Sequence, residues 1–127
     1  MGIGKRLRFF RHLRGLTLKE LGILSGFNPK NADARVAQYE RERAMPCDDI
    51  INRFAESLHV DIQALKVPNL STPAEIMHML FLLEDIITNN NNEELSIMIN
   101  RWVSMSKKLK EGKITKRTYD EWRYNFR

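Results

Sequence analysis

The sequence predicts an all-α chain, and three observations carry that prediction. Apolar residues return every three or four positions through almost every segment. Helix start and stop signals stand between those segments. No alternating apolar and polar run longer than about four residues appears, so nothing reads as a strand. The 127 residues suffice for one domain with a core, or for a small module with an extension. The Pro68–Pro73 stretch interrupts the periodicity and divides the chain into residues 1–67 and 68–127. Five helices are expected before it and about three after it.

Ile3, Leu7 and Phe10, with Leu13 beside them, form the stripe of a first helix, and Gly15 suits the left-handed residue that closes it. Thr17-Leu18-Lys19-Glu20 is a capping box: the hydroxyl accepts from the third backbone amide and the carboxylate reaches back. It opens a second helix with Leu21 and Leu24 inward, stopped by Gly26. Asn28-Pro29 signals a third start, because Pro lacks an amide that would be unpaired there anyway, and Val36 and Tyr39 are the inward pair. Pro46 opens a fourth helix whose dipole Asp48 and Asp49 complement, with Ile50, Phe54, Ala55 and Leu58 as its buried face. Ile62 and Leu65 face inward from a short fifth.

Thr72-Pro73-Ala74-Glu75 is a second capping box. The helix behind it is apolar nearly all round, from Ile76 and Met77 to Ile86 and Ile87, and such a helix must be covered on several sides. Asn89–Asn92 reads as a linker. Leu95, Met98, Trp102, Met105 and Leu109 then repeat at helical steps until Gly112. Thr115 or Thr118 caps a last helix carrying Tyr119, Trp122 and Phe126.

Composition removes several classes of function. A hydrophobic content of 43% is that of a globular chain. No apolar run approaches the roughly 18 residues of a membrane span, and the basic first residues lack the apolar stretch of a signal peptide. The single Cys47 makes no intrachain disulfide, which fits a cytoplasmic location. The net charge is +5, and it is unevenly placed. Residues 1–67 hold 12 Lys/Arg against 8 Asp/Glu, or +4; residues 68–127 hold 9 against 8, or +1. Lys5, Arg6, Arg8, Arg11 and Arg14 come before any acid. A solvated helix face and a nucleic-acid surface both explain that cluster.

Three short helices joined by tight turns, the middle turn containing Gly, describe a helix-turn-helix. Residues 3–65 resemble the bacterial XRE family of regulators related to lambda Cro and CI repressors. The resemblance is carried by Ile3-Gly4-Lys5-Arg6-Leu7-Arg8, Arg14-Gly15-Leu16-Thr17, Glu20-Leu21-Gly22, Ser25-Gly26-Phe27, Val36-Ala37-Gln38-Tyr39-Glu40, Pro46 and Phe54-Ala55-Glu56-Ser57-Leu58-His59-Val60, in that order. It covers about half the chain. The segments Leu109–Thr115 and Tyr119–Asn125 resemble, more weakly, the helical tails of some longer members.

The resemblance implies a five-helix Cro/CI-type domain followed by a helical tail, and sequence-specific binding of double-stranded DNA with the third helix in the major groove. Thr17 and Lys19 fall where family members touch phosphates. The next family position, often Gln, is Leu18 here and cannot hydrogen-bond. Gln38 and Arg35 flank Val36 as base readers, since Gln bridges an adenine edge and Arg a guanine edge. Arg41 and Arg43, with Lys5 and Arg6, hold phosphates. Members commonly have about four residues between the positions of Phe27 and Val36, and this chain has eight, Asn28 to Arg35. The extra residues are roughly one helical turn, about 6 Å of rise. The third helix is therefore expected to be extended at its start, carrying Lys30 and Asn31 to the DNA; the alternative is that the extra residues form a loop bulging away from the groove.

The tail is expected to form a homodimer by burying Ile76, Leu80, Leu83 and Ile87 against Leu95, Met98, Trp102 and Met105 of its own chain or of its symmetry mate. The function expected is a transcriptional regulator, a repressor. The alternative is a protein-interaction module, an antitoxin or an inhibitor of a host system, that binds a protein partner through residues 68–127. His12, His59 and His78 are scattered and no Cys stands at ligand spacing, so no metal and no cofactor is expected. No nucleophile motif or phosphate-cradling loop appears, so the chain does not read as an enzyme.

Overall fold

The computed structural model describes residues 2–68, 70–90 and 93–127. Among the described residues there are eight helices and no strand: α1 (Ile3–Leu13), α2 (Leu18–Leu24), α3 (Ala32–Glu40), α4 (Asp48–Leu58), α5 (Ile62–Leu65), α6 (Pro73–Asn90), α7 (Glu93–Lys110) and α8 (Lys116–Tyr124). The protein is all-α. The chain divides into two compact units, Met1–Asn69 with Tyr124–Arg127, and Leu70–Arg123.

The first unit is built round one core. Ile3, Leu7 and Phe10 of α1, Leu21 of α2, Val36 and Tyr39 of α3, and Phe54 and Leu58 of α4 are all buried in it. The stripes read from the sequence thus face inward, with three corrections. Leu13 and Leu24 are 48% and 60% exposed. Ile51, not Ile50, is the buried isoleucine of α4. Ile51, Phe54, Ala55 and Leu58 stand at i, i+3, i+4 and i+7 on the stripe that α4 turns to the core, and Ile50 packs partly against it from the margin.

Two glycines permit close approaches. A Cβ on Gly22 would lie 2.7 Å from the Cβ of Ala32, so α2 packs directly on the first turn of α3. A Cβ on Gly4 would lie 2.5 Å from the carbonyl oxygen of Glu40, which brings the start of α1 against the end of α3. The capping box predicted at Thr17 is present: the Glu20 amide donates to the Thr17 hydroxyl at 3.0 Å and the Thr17 amide donates to the Glu20 carboxylate at 3.2 Å.

The last residue of α8, Tyr124, belongs to this first unit. Its ring meets the rings of Phe9 and Phe10 edge-on at 6.2 and 4.9 Å. Its carbonyl accepts from the Asp61 amide at 2.9 Å, and Arg127 pairs with the Asp61 carboxylate at 3.2 Å.

In the Leu70–Arg123 unit, α6 opens at the predicted capping position, with the Glu75 amide donating to the Thr72 hydroxyl at 3.2 Å. It runs through Asn90, so the first half of the expected asparagine linker is helical; Asn91 and Asn92 lie outside the described residues. Thr115, rather than Thr118, caps α8, its hydroxyl accepting from the Thr118 amide at 3.1 Å. The middle of α7 meets α8 through the Trp102 indole, which donates to the Tyr119 hydroxyl at 2.8 Å. None of the described residues of this unit is buried. No helix among the described residues is long and apolar enough to cross a membrane.

Candidate nucleic-acid interface

The frame of the site is α2, the turn after it, and α3. The orientation of α3 is fixed from behind by a buried ion pair. Arg11 of α1 donates from Nε and Nη2 to the two Glu40 carboxylate oxygens at 2.6 and 3.0 Å, and from Nη1 to the Leu16 carbonyl at 3.0 Å. The two side chains are 10% and 6% exposed. Such a bidentate fork constrains direction as well as distance. It ties α1 to the C-terminal end of α3, where Gly4 also makes its close approach.

The basic cluster of the first residues is therefore divided between structure and surface. Arg11 is consumed by Glu40. Arg14 donates to the Leu58 and His59 carbonyls at 2.7 and 3.1 Å, capping α4, whose closing residue His59 is left-handed at φ 55°. Arg6 donates to the Ala64 carbonyl at 3.2 Å and lies over the Phe9 and Phe10 rings at 5.2 and 4.8 Å. Lys5 and Arg8 are exposed. The residues around the cluster include no acid, so nothing local signals that Glu40, 29 positions from Arg11, takes one of its members.

The expected extension of α3 is not found. Asn28–Asn31 form a turn, closed by the Asn31 amide donating to the Asn28 carbonyl at 3.1 Å and the Lys30 amide donating to the Asn28 side chain at 2.9 Å. The helix starts at Ala32. The physical reason is local: the Asn28 side chain satisfies an amide in a non-helical conformation, and Ala32 must sit against Gly22. Lys30 and Asn31 stay exposed, but on the turn before the helix rather than on its first turn.

The outward face of α3 carries Ala34, Ala37 and Gln38, its closing residue is Arg41, and the loop after it adds Arg43 and Ala44. These six line one shallow concavity. Gln38, Arg41 and Arg43 are exposed. Ala34 and Ala37, which sequence reasoning did not single out, are the floor; their small size lets a ligand approach the helix backbone. Arg35 stands differently. Its guanidinium lies 4.7 Å from the centre of the Phe27 ring and donates to the Tyr39 hydroxyl at 3.3 Å, so the structure holds it half-buried along the helix. Thr17 and Lys19 are exposed at the start of α2, with the Thr17 hydroxyl engaged by its own cap.

Among solved structures, the crystal structure of the transcriptional regulator BswR resembles this chain. It superposes with a TM-score of 0.51 at 29% sequence identity, covering 67% of this chain and 95% of that one. No family model matches the chain, and no curated protein matches it. The likeness to BswR extends over more of the chain than residues 1–67 alone supply.

Among the described residues no three or more His, Cys, Asp and Glu side chains come together as a metal site would need. Of the residues expected to assemble the tail, Ile76, Leu80, Leu83 and Ile87 are 44%, 51%, 45% and 49% exposed, and Trp102 is 54% exposed. Leu95, Met98 and Met105 are half-buried. Among the described residues α6 does not lie along α7 of its own chain.

Proposed function

We propose that this chain is a DNA-binding transcriptional regulator, acting as a repressor, which places α3 in the major groove and binds as a homodimer assembled through Leu70–Arg123. The observation that carries the reading is the exposed face of α3, where Gln38, Arg41 and Arg43 surround an alanine floor on a helix-turn-helix frame. The likeness to the regulator BswR supports it. In this reading Gln38 bridges the two polar groups of an adenine edge. Arg41 and Arg43 hold phosphates on one side of α3, and Lys19, Lys30 and Asn31 on the other, with Thr17 and Lys5 at the margin. Arg35, braced on Phe27, sets the surface beside Gln38.

The test is salt dependence. Affinity for a bound promoter fragment falls log-linearly with salt, with a slope of about 0.9 per phosphate neutralised. Arg41→Ala reduces that slope by about 0.9 for each phosphate left without its cation, and weakens all sequences alike. Gln38→Ala relaxes sequence choice and leaves the slope in place. If neither change alters binding to any fragment, the reading fails. The exposed apolar circumference of α6 favours one second reading, a module that captures another protein through its tail. That module would retain partner binding with α3 fully substituted, and would show no salt-dependent DNA binding.

A further inference from the structure

We infer that two copies of this chain exchange helices, α6 of each packing antiparallel along α7 of the other in a shared four-helix bundle. This rests on the homodimer reading above and adds which helix covers which, and in what direction.

The first observation is an uncovered helix. α6 is apolar round its circumference, yet none of its residues 73–88 is buried, and α7 of the same chain does not lie along it. A helix of this composition needs partners on more than one side. A bundle of four helices supplies two neighbours for each.

The second observation is area. Eight large apolar side chains of α6 and three of α7, Ile97, Trp102 and Val103, stand about half exposed. A stable interface of standard size takes about 800 Å² from each partner, and eleven large, half-exposed apolar side chains supply surface on that scale. A second copy is the occupant that brings a matching apolar surface with it.

The third observation is charge order. α6 carries Glu75, Glu84 and Asp85 and no Lys or Arg. α7 has Glu93 and Glu94 in its first turn, and Arg101, Lys107, Lys108 and Lys110 beyond. Both helices have 18 residues. Aligned antiparallel, Glu75 stands level with Lys108, and Glu84 and Asp85 stand within about one turn of Arg101. Aligned parallel, Glu75 stands beside the like charges of Glu93 and Glu94, and only Asp85 and Glu84 come within a turn of Lys107. Charge complementarity of this kind selects register and direction more than it adds affinity.

The test uses two full-length variants that should fail alone and succeed together. Glu84→Lys with Asp85→Lys places like charges across both α6–α7 contacts of the dimer, and so does Arg101→Glu. Each variant alone should raise the dimer dissociation constant about tenfold or more, read by light scattering and sedimentation. An equimolar mixture restores opposite charges at both contacts, and should regain the dimer mass and helicity as a heterodimer. Pairing of α6 with α6 would leave Arg101→Glu dimeric on its own, which overturns the inference. A wild-type dimer whose two variants remain apart on mixing overturns the exchange and leaves the homodimer reading standing. A wild-type chain that stays monomeric at micromolar concentration overturns both.

Discussion

Removing Glu40 should strongly destabilise the unit that carries α3. In Glu40→Ala the Arg11 guanidinium loses both carboxylate bonds and keeps only the Leu16 carbonyl and a long approach to His12. With Arg11 only 10% exposed, water does not replace those bonds. Breaking a buried pair by deleting one partner costs about 3–5 kcal/mol. A small domain has about 5–15 kcal/mol in total. Each kcal/mol moves the midpoint of a domain of 60–100 residues by about 4–8 °C, so the loss is about 12 °C at the small end. Thermal and urea unfolding followed by far-UV circular dichroism reads this directly. The double variant Arg11→Met with Glu40→Leu should recover most of the loss, because an apolar pair of similar volume leaves no buried charge. A Glu40→Ala midpoint within about 1 kcal/mol of wild type, or a double variant no better than the single, would refute the claim that this pair holds α3 against α1.

Two further perturbations test other parts of the structure. Gly22→Ala gains helix propensity worth about 1 kcal/mol but forces a methyl to 2.7 Å from Ala32, and overpacking of that kind costs about 1–3 kcal/mol. The net change should be destabilising, read from the urea midpoint, and a stabilised variant would mean that α2 and α3 are not in direct contact. Asp120 offers a pH test. Burial raises its pKa, but hydrogen bonds from Lys116 and Arg123 and their charges outweigh this, so its carboxyl lies below the usual range. A lowered folded pKa gives stability that is present above the unfolded value and lost as pH falls through the folded one. The difference between wild type and Asp120→Asn should therefore be constant near neutrality and shrink below about pH 4. Trp102 and Trp122 are the two tryptophans of the chain, so tryptophan fluorescence reports the Leu70–Arg123 unit that contains Asp120. A difference unchanged down to strongly acid pH would show that the carboxylate is not held by its two cations.

The helices of the first unit were legible because their inward residues repeat and their ends carry chemistry that acts locally. Thr17 with Glu20, and Thr72 with Glu75, are read from adjacent residues and are found in place. What the sequence did not disclose depends on distant partners. Ile50 and Ile51 are neighbours, both within reach of the stripe of Phe54 and Leu58, and only the way α4 packs on the other helices decides which one is buried. Arg6, Arg11 and Arg14 look alike in sequence, but their partners lie 58, 29 and 44 positions away. The return of Tyr124 to Phe10 has no local signal at all. Gln38 is exposed on α3 as helical spacing expects, and Arg41 and Arg43 are exposed just beyond its end. Extension and loop were both open for the residues before Val36, because a Pro after Asn suits a helix start and an Asx turn equally well, and the structure forms the turn.

Selection of bound sites from random-sequence duplexes by the full-length chain tests the central claim most directly. If α3 reads the major groove from a two-fold dimer, the selected pool converges on a motif with two symmetric half-sites about one helical turn apart, or a multiple of that. Repeating the selection with Gln38→Ala should erase preference at one position in each half-site and leave the rest. A pool that shows no enriched motif, or a motif that Gln38→Ala leaves untouched, would contradict the assignment of DNA reading to this face of α3.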